Sequence, residues 1–425
     1  MGQLPPYLIR HCSHAKNAPA RDLASLAGEP SLFAASAAAK LERLRAGLAP
    51  LSCRYDAVVA NPPYMGASNM GPWLSKWVKK NYPDSKPDLC TCFIERGFSL
   101  SSRAGLSAMV TMQSWMFLGS FEKMRAKILS QRSIVTMAHL GTRAFSAIGG
   151  EVVSTTATAF SAMKNDVAGA YFRLVDMGSE GEKREGLLQA LADPDCGWFY
   201  RADARGFEAI PSRPIAYWAS KAMREAFDKF APLSSFAHTR KGMFTGDNDY
   251  FLRQWYEVPF SKIGGAYRPY CKGGQYRKWY GNRDYVIRWQ NNGEEILRSR
   301  HAGNVNLGDY FKPCISWSLI TSDDISFRDL NCMDFIMGDA GPACYPSRES
   351  HYVTLAALNS SCTKVISKII NPTLNFSSGV VRVFPIALPR DPDKTDFVSR
   401  SCVDISRLDW DSRETSWDFK RNPLI

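Results

Sequence analysis

Four consecutive residues, Asn61-Pro62-Pro63-Tyr64, have the types and spacing to hold an amine for attack. An exocyclic amine such as adenine N6 is a poor nucleophile, because its lone pair is delocalised into the ring. Two acceptors aimed at its two hydrogens would localise that pair. The Asn61 side-chain oxygen can be one acceptor and the Pro62 backbone carbonyl the other, while Pro62 and Pro63 fix φ and remove competing N–H donors. Tyr64 offers an aromatic face to a flat ring. Positioning and electrostatics carry such a reaction, with no demand for a metal, a covalent nucleophile or a strong base. The competing reading is structural: a strand closed by a proline-stiffened turn with Asn as its initiator.

The elements around the motif must bring it to an accessible edge. YDAVVA, residues 55–60, is an apolar run of strand length closed by prolines, the pattern of a buried parallel strand. The motif then falls at a strand's carboxyl end, where open α/β sheets bind ligands. An alanine-rich helix over residues 31–48 leads into the strand. After the motif, the spacing predicts a helix over 73–80 and a proline loop. A second helix runs over 88–101, with Asp88 as N-cap and Leu89, Phe93 and Gly97 on one face. Gly105 opens the strand LSAMVTMQ. Ser120 caps a helix with Phe121, Met124 and Ile128 on one face, and IVTMAHLG and STTATAF read as two more strands. The order strand, helix, strand, helix, strand, strand is the second half of a doubly wound sheet ending in a reversed hairpin. The expected divisions are an N-terminal remnant at 1–54, a partial catalytic domain at 55–165, a connection at 166–235 and a recognition domain at 236–425.

A stretch of alternating cations and aromatics lies in the last of these. Arg268, Lys272, Arg277, Lys278, Arg283 and Arg288 are interleaved with tyrosines and tryptophans, and only Asp284 opposes their charge. Cations suit phosphates and rings suit unstacked bases, so these six are candidate contacts to double-stranded DNA. A twisted sheet with alternate residues buried gives the same composition.

The 425 residues suggest two to three domains with ample cores, and 45% hydrophobic and 22% charged content exclude general disorder. The formal charge of +12 fits a polyanionic partner. Eleven cysteines without a small-scaffold spacing, and no charged-then-apolar leader, point to reduced thiols and a cytoplasmic setting. No run reaches the roughly 18 apolar residues of a membrane span. His11, Cys12 and His14, two histidines and one cysteine, have no matching second half, so no metal site is expected.

The motif resembles the NPPY motif of amino-group methyltransferases that use S-adenosylmethionine. YDAVVANPPYMG, KKNYPDSKPDLCTCFIERGFSL, AMVTMQSWMFLGSFEKMR and HLGTRAFSAIGGEVVSTTA together resemble the adenine-specific DNA methyltransferases of BREX phage-resistance systems, the PglX type, from about residue 31 to the C-terminus. The resemblance implies a Rossmann-like methyltransferase sheet, here its C-terminal half, followed by a mixed α+β target-recognition domain. It implies a flipped adenine held by Asn61 and Pro62, with Tyr64 and Phe145 stacked on it. It also implies S-adenosylmethionine as methyl donor and other phage-defence proteins as partners. RKGMFTGDNDYF resembles the segment joining catalytic and recognition domains in this group, with Asp247 a small departure. A second departure is larger. No glycine-rich cofactor loop of the DPACGSG type precedes Asn61, and Asp339-Ala340-Gly341-Pro342-Ala343-Cys344 is a poor substitute. The family's N-terminal part is thus expected to be missing, with cofactor-binding residues unassigned and the outer edge of the YDAVVA strand unpaired. Two other readings stay open: a DNA-binding module without catalysis, and a methyltransferase acting on a protein glutamine amide.

Overall fold

The structure, a computed structural model, describes residues 42–43, 46–146, 153–322, 324–331 and 335–422. They fall into two compact units, one ending at Glu208 and the other beginning at Ala209. The alanine-rich helix is described only in part, with residues 46–52 helical, and His11, Cys12 and His14 lie outside the described residues.

The first unit is built on a six-stranded mixed sheet. Its strands are β1 (Tyr55–Ala60), β2 (Ser101–Met112), β3 (Ser133–Gly141), β4 (Thr155–Ser161), β5 (Gly169–Arg173) and β6 (Phe199–Ala202), in the order β1-β2-β4-β3-β5-β6. β1 is parallel to β2, β4 runs against both β2 and β3, and β5 is parallel to β3. The carboxyl ends of β1, β2, β3 and β5 therefore share one edge. β5 and β6 belong to the stretch expected as a connection. Their apolar residues, including buried Tyr171 and Phe172, extend the sheet instead, which moves the boundary from 165 to the end of this unit.

Burial alternates along β2. Ser107, Met109 and Thr111 are buried, and Ala108 and Val110 are not. The buried face lies under α2 (Leu89–Leu100) and α3 (Glu122–Gln131). Helix α2 turns Cys90, Ile94 and Gly97 inward, whereas Phe93 is 38% exposed, so the expected face is rotated. Gly97 is required there: a Cβ would lie 2.5 Å from both Ser107 Oγ and Met109 Cε. Phe121, Met124 and Ile128 are all buried, as their spacing predicts. Ser120 does not cap α3. It sits in a 3₁₀ turn, and the helix starts after Phe121 without a side-chain cap. β2 starts at Ser101, four residues before Gly105. A Cβ on Gly105 would stand 2.7 Å from the Tyr55 carbonyl, where the β1–β2 register slips.

β1 itself departs from its reading as a buried strand. None of its six residues is buried, and Val59 is 78% exposed, because β1 is the edge of the sheet.

The second unit holds two four-stranded sheets. One has β7 (Ala237–Arg240) last in the order β12-β11-β14-β7, with β11 (Ile315–Trp317), β12 (Phe327–Asp329) and β14 (Ala343–Pro346). The other has the order β13-β9-β10-β8, from β8 (Leu252–Gln254), β9 (Tyr267–Cys271), β10 (Tyr285–Arg288) and β13 (Ile336–Met337). Trp317 and Phe327 belong to a large apolar cluster, and the Trp317 Nε1 donates to the Phe376 carbonyl at 2.7 Å. Gly246 has φ 77° and Gly242 passes so close to Gly338 that a Cβ would lie 2.0 Å from its carbonyl oxygen, which accounts for the glycines of the GMFTG turn. Near the C-terminus a 20-residue helix, Pro392–Asp411, is capped by Asp391 with Pro392 in its first turn. RVFPIAL forms no strand. No helix among the described residues is long and apolar enough to cross a membrane.

Candidate active site and nucleic-acid interface

The residues after β1 leave the sheet at its carboxyl edge, as the proline-closed run predicts. Asn61 is exposed and Pro62 buried, with Pro63 exposed and Tyr64 half-buried. The Tyr64 hydroxyl donates to Asn61 Oδ1 at 3.1 Å. An amide oxygen has two lone pairs, so this bond orients the side chain and leaves one acceptor position open. Burial, with Cys90 and Asp88 adding to it, pushes the Tyr64 hydroxyl up to about 12, so it remains a donor throughout the physiological range. The Pro62 carbonyl accepts no bond among the described residues. Two acceptors are thus available on adjacent residues.

What holds them was only half visible in the sequence. Asp88 caps α2 as expected, accepting from Cys90 N at 3.0 Å, and the same Oδ1 also accepts from Met65 N at 3.3 Å. Leu89 N donates to the Met65 carbonyl at 3.0 Å, and Ala67 N to the Pro87 carbonyl at 2.9 Å. One carboxylate therefore joins the start of α2 to the residue following Tyr64. The paired Asp-Leu after a proline loop signals a cap; its second bond depends on a tertiary approach that no local spacing reveals. Asp88→Ala is expected to cost about 1 kcal/mol of stability, typical of an N-cap, and to lower any activity of the motif. Asp88→Asn should restore stability first, since Asn caps as well as Asp. Denaturant melts of the two variants check this, and equal stability of Asp88→Ala and the parent would remove the tether.

At the same edge His139, near the end of β3, pairs through Nε2 with Gln113 Oε1 at 2.7 Å, across the intervening β4. Burial, helped by Arg173 and Lys183, lowers His139 to about 3, so the ring is neutral and the bond ties the exits of β2 and β3. Phe145 is half-buried on the loop leaving β3, where Ser146 N donates to Glu180 Oε2 at 3.0 Å. It shares the sheet edge with Tyr64, but no ring contact joins the two among the described residues. Residues 147–152 of that loop are outside the described set. No cluster of three or more potential metal ligands occurs among the described residues.

The six candidate DNA cations of the second unit divide by their surroundings. Arg283 is buried, at 3% exposure; its Nη2 donates to the Asp329 carbonyl at 3.0 Å and its guanidinium lies 3.9 Å from the Tyr280 ring centre. It is a core residue and presents no charge to a phosphate. Arg277 pairs with Asp409 at 2.9 Å and lies over Trp410, and Lys278 donates to the Asn359 carbonyl at 2.7 Å. Arg268 lies over Phe311 and Lys272 over Tyr285, while Arg288 pairs with Glu295 at 3.0 Å. Tyr270, Tyr280 and Trp289 are buried between them. The alternation thus largely records sheet packing, with cations folded onto rings. Replacing Arg277 and Lys278 together by Ala is expected to lower stability by about 1–2 kcal/mol through lost ring and hydrogen-bond contacts. Chemical denaturation alongside a salt titration of DNA binding checks this. Unchanged stability with a lower salt slope would return both residues to the DNA contacts.

The family described as Eco57I restriction-modification methylase matches residues 35–145. The chain is 39% identical over 403 residues to an adenine-specific methyltransferase PglX of Lacticaseibacillus casei (strain Zhang), covering 90% of this chain and 33% of that protein. It is 40% identical over 389 residues to an adenine-specific methyltransferase BrxX of Escherichia coli O9:H4 (strain HS), covering 88% and 31%. The chain spans about a third of the length of these curated relatives. Among solved structures it resembles the Type IIL restriction-modification enzyme MmeI in complex with DNA, with TM-score 0.55 and 13% identity over 87% of this chain and 51% of that one. It likewise resembles a nuclease-deletion mutant of the Type ISP enzyme LlaGI in complex with a DNA substrate mimic, with TM-score 0.56 and 12% identity over 90% and 37%. The fold is therefore the mixed α/β architecture of restriction-modification enzymes. Across about nine-tenths of its length the chain is homologous to proteins named adenine-specific methyltransferase PglX and BrxX.

Proposed function

We propose that this chain is the substrate-holding and DNA-recognising part of an adenine-N6 DNA methyltransferase acting in phage defence. The observation that carries the reading is the Asn61–Tyr64 bond at the carboxyl edge of the sheet, beside a Pro62 carbonyl free to accept. The sheet order, with reversed β4 between β2 and β3, supports assigning the first unit as the C-terminal half of a Rossmann-like methyltransferase domain. The second unit is then the target-recognition domain, and double-stranded DNA the partner. In the reaction, adenine leaves the duplex at a cost of a few kcal/mol. Asn61 Oδ1 and the Pro62 carbonyl bind its amine hydrogens, localising the nitrogen lone pair. Tyr64 stacks on the ring, with Phe145 closing from the loop after β3.

S-adenosylmethionine supplies the electrophilic methyl group in this chemistry. The residues present fit the amine side of such a site. No DPACGSG-type loop occurs before Asn61 in this sequence, so the cofactor side is assigned to none of its residues. The test is transfer of labelled methyl from S-adenosylmethionine to duplex DNA by a full-length polypeptide carrying this sequence. Label at adenine N6 supports the reading. Label on protein glutamine, or none on DNA in a protein that binds both ligands, overturns it.

A further inference from the structure

Helix α1 (Pro72–Asn81) follows the motif loop directly and is amphipathic in an unusual sense. One side is seated: Leu74 and Val78 pack with Met65, Met70 and Cys92, so the helix rests on the residue next to Tyr64. The other side carries Trp73, Lys76, Trp77 and Lys80, whose i, i+3, i+4, i+7 spacing puts them on one stripe. Trp73 is 75% exposed and Trp77 43% exposed, and their rings stack at 6.4 Å with 13° between planes. Tyr82 continues the row, 5.6 Å from Trp77. Lys76, Lys79, Lys80 and Lys86 form no ion pair among the described residues, while Asp84 pairs with Lys127 and Asp88 binds the backbone; Glu95, half-buried, lies near Tyr82.

Two exposed tryptophans are costly to leave in water, and the unpaired Lys76 and Lys80 on the same stripe exclude an apolar or basic partner surface. Flat rings flanked by cations match one chemistry well: unstacked bases on a phosphodiester backbone. We propose that this face of α1 binds the DNA strand beside the extruded base, stacking a neighbouring base on Trp73 or Trp77 while Lys76 and Lys80 neutralise flanking phosphates. The inference rests on the proposed DNA substrate and adds a contact surface attached to the motif loop itself, within the first unit.

The experiment uses the full-length polypeptide and a duplex carrying 5-iododeoxyuridine near the target adenine. Ultraviolet cross-linking should attach the DNA to the peptide containing Trp73 and Trp77. The double variant Trp73→Ala/Trp77→Ala should lose the cross-link and about 10-fold or more in affinity, as expected for one lost base stack. Lys76→Gln/Lys80→Gln should lower the slope of log affinity against log salt by about 0.9 per contact, roughly 2 in all. All four side chains are exposed, so melting temperatures should hold. If the parent binds DNA but cross-links elsewhere, and both variants keep its affinity and slope, the inference fails and the functional reading stands. Variants that bind DNA normally but lose self-association on a sizing column reassign the face to protein contact and overturn it. A parent that binds no DNA overturns both.

Discussion

Replacing Asn61 by alanine should reduce methyl transfer to adenine by about 10²- to 10³-fold, as for loss of one positioned polar contact to a developing charge, while DNA affinity stays nearly unchanged. The split follows from where the residue sits. Asn61 is exposed, and its oxygen bonds only the Tyr64 hydroxyl among the described residues, so little of the fold depends on it. Its remaining lone pair is used when the amine nitrogen rehybridises, which makes its contribution larger in the transition state than in the bound complex. The loss therefore falls on kcat more than on KM. Tyr64→Phe is the informative companion. It keeps the aromatic face and deletes the hydroxyl that orients Asn61, so its rate should fall between the parent and Asn61→Ala. Single-turnover rates on a duplex substrate decide the matter, and near-parental turnover by Asn61→Ala would sink the amine-clamp chemistry.

The motif could be read from sequence because its information is local. Two prolines, one amide and one ring fix a short piece of backbone, and the strand before it is bounded by the same prolines. Helix faces with strong periodicity, such as Phe121, Met124 and Ile128, were equally readable. The failures share a cause, which is dependence on distant partners. Arg283 looks like its neighbours in sequence, yet it is buried because β12 brings the Asp329 carbonyl to it. Phe93 faces outward because Gly97 can approach Ser107 and Met109 more closely than any larger residue. The helix Pro392–Asp411 has a clear cap and an N1 proline, but its apolar residues follow no single face: Val403 and Trp410 are buried while Phe397, Val398, Ile405 and Leu408 are exposed. Apolar residues spread around a helix give little periodic signal. The second bond of Asp88 was unreadable for the same reason, since Met65 lies 23 positions away.

The remaining expectation concerns the open side of the first unit. β1 is the edge strand, and from Val59 a single row of register runs across the sheet through Ala108, Ala159 and Thr136. This is the face opposite α2 and α3. Together with Phe172, Leu187 and Leu191 it lines a shallow apolar depression of about 390 Å³, and Leu191 itself is 63% exposed. Parallel strands are normally covered on both faces, and an uncovered apolar edge pairs readily with other chains. The 425-residue chain alone should accordingly self-associate through β1 and this face, while the second unit stays folded. Val59→Lys places a charge at the centre of the edge and should shift the chain toward monomer, since lysine on an edge strand blocks further pairing. Limited proteolysis gives the independent readout: a stable fragment beginning near Ala209, with cleavage first between β1 and β6. Sedimentation of parent and Val59→Lys settles the assembly state. A monomeric parent whose first unit resists protease as well as its second would show that this face is already satisfied within the chain.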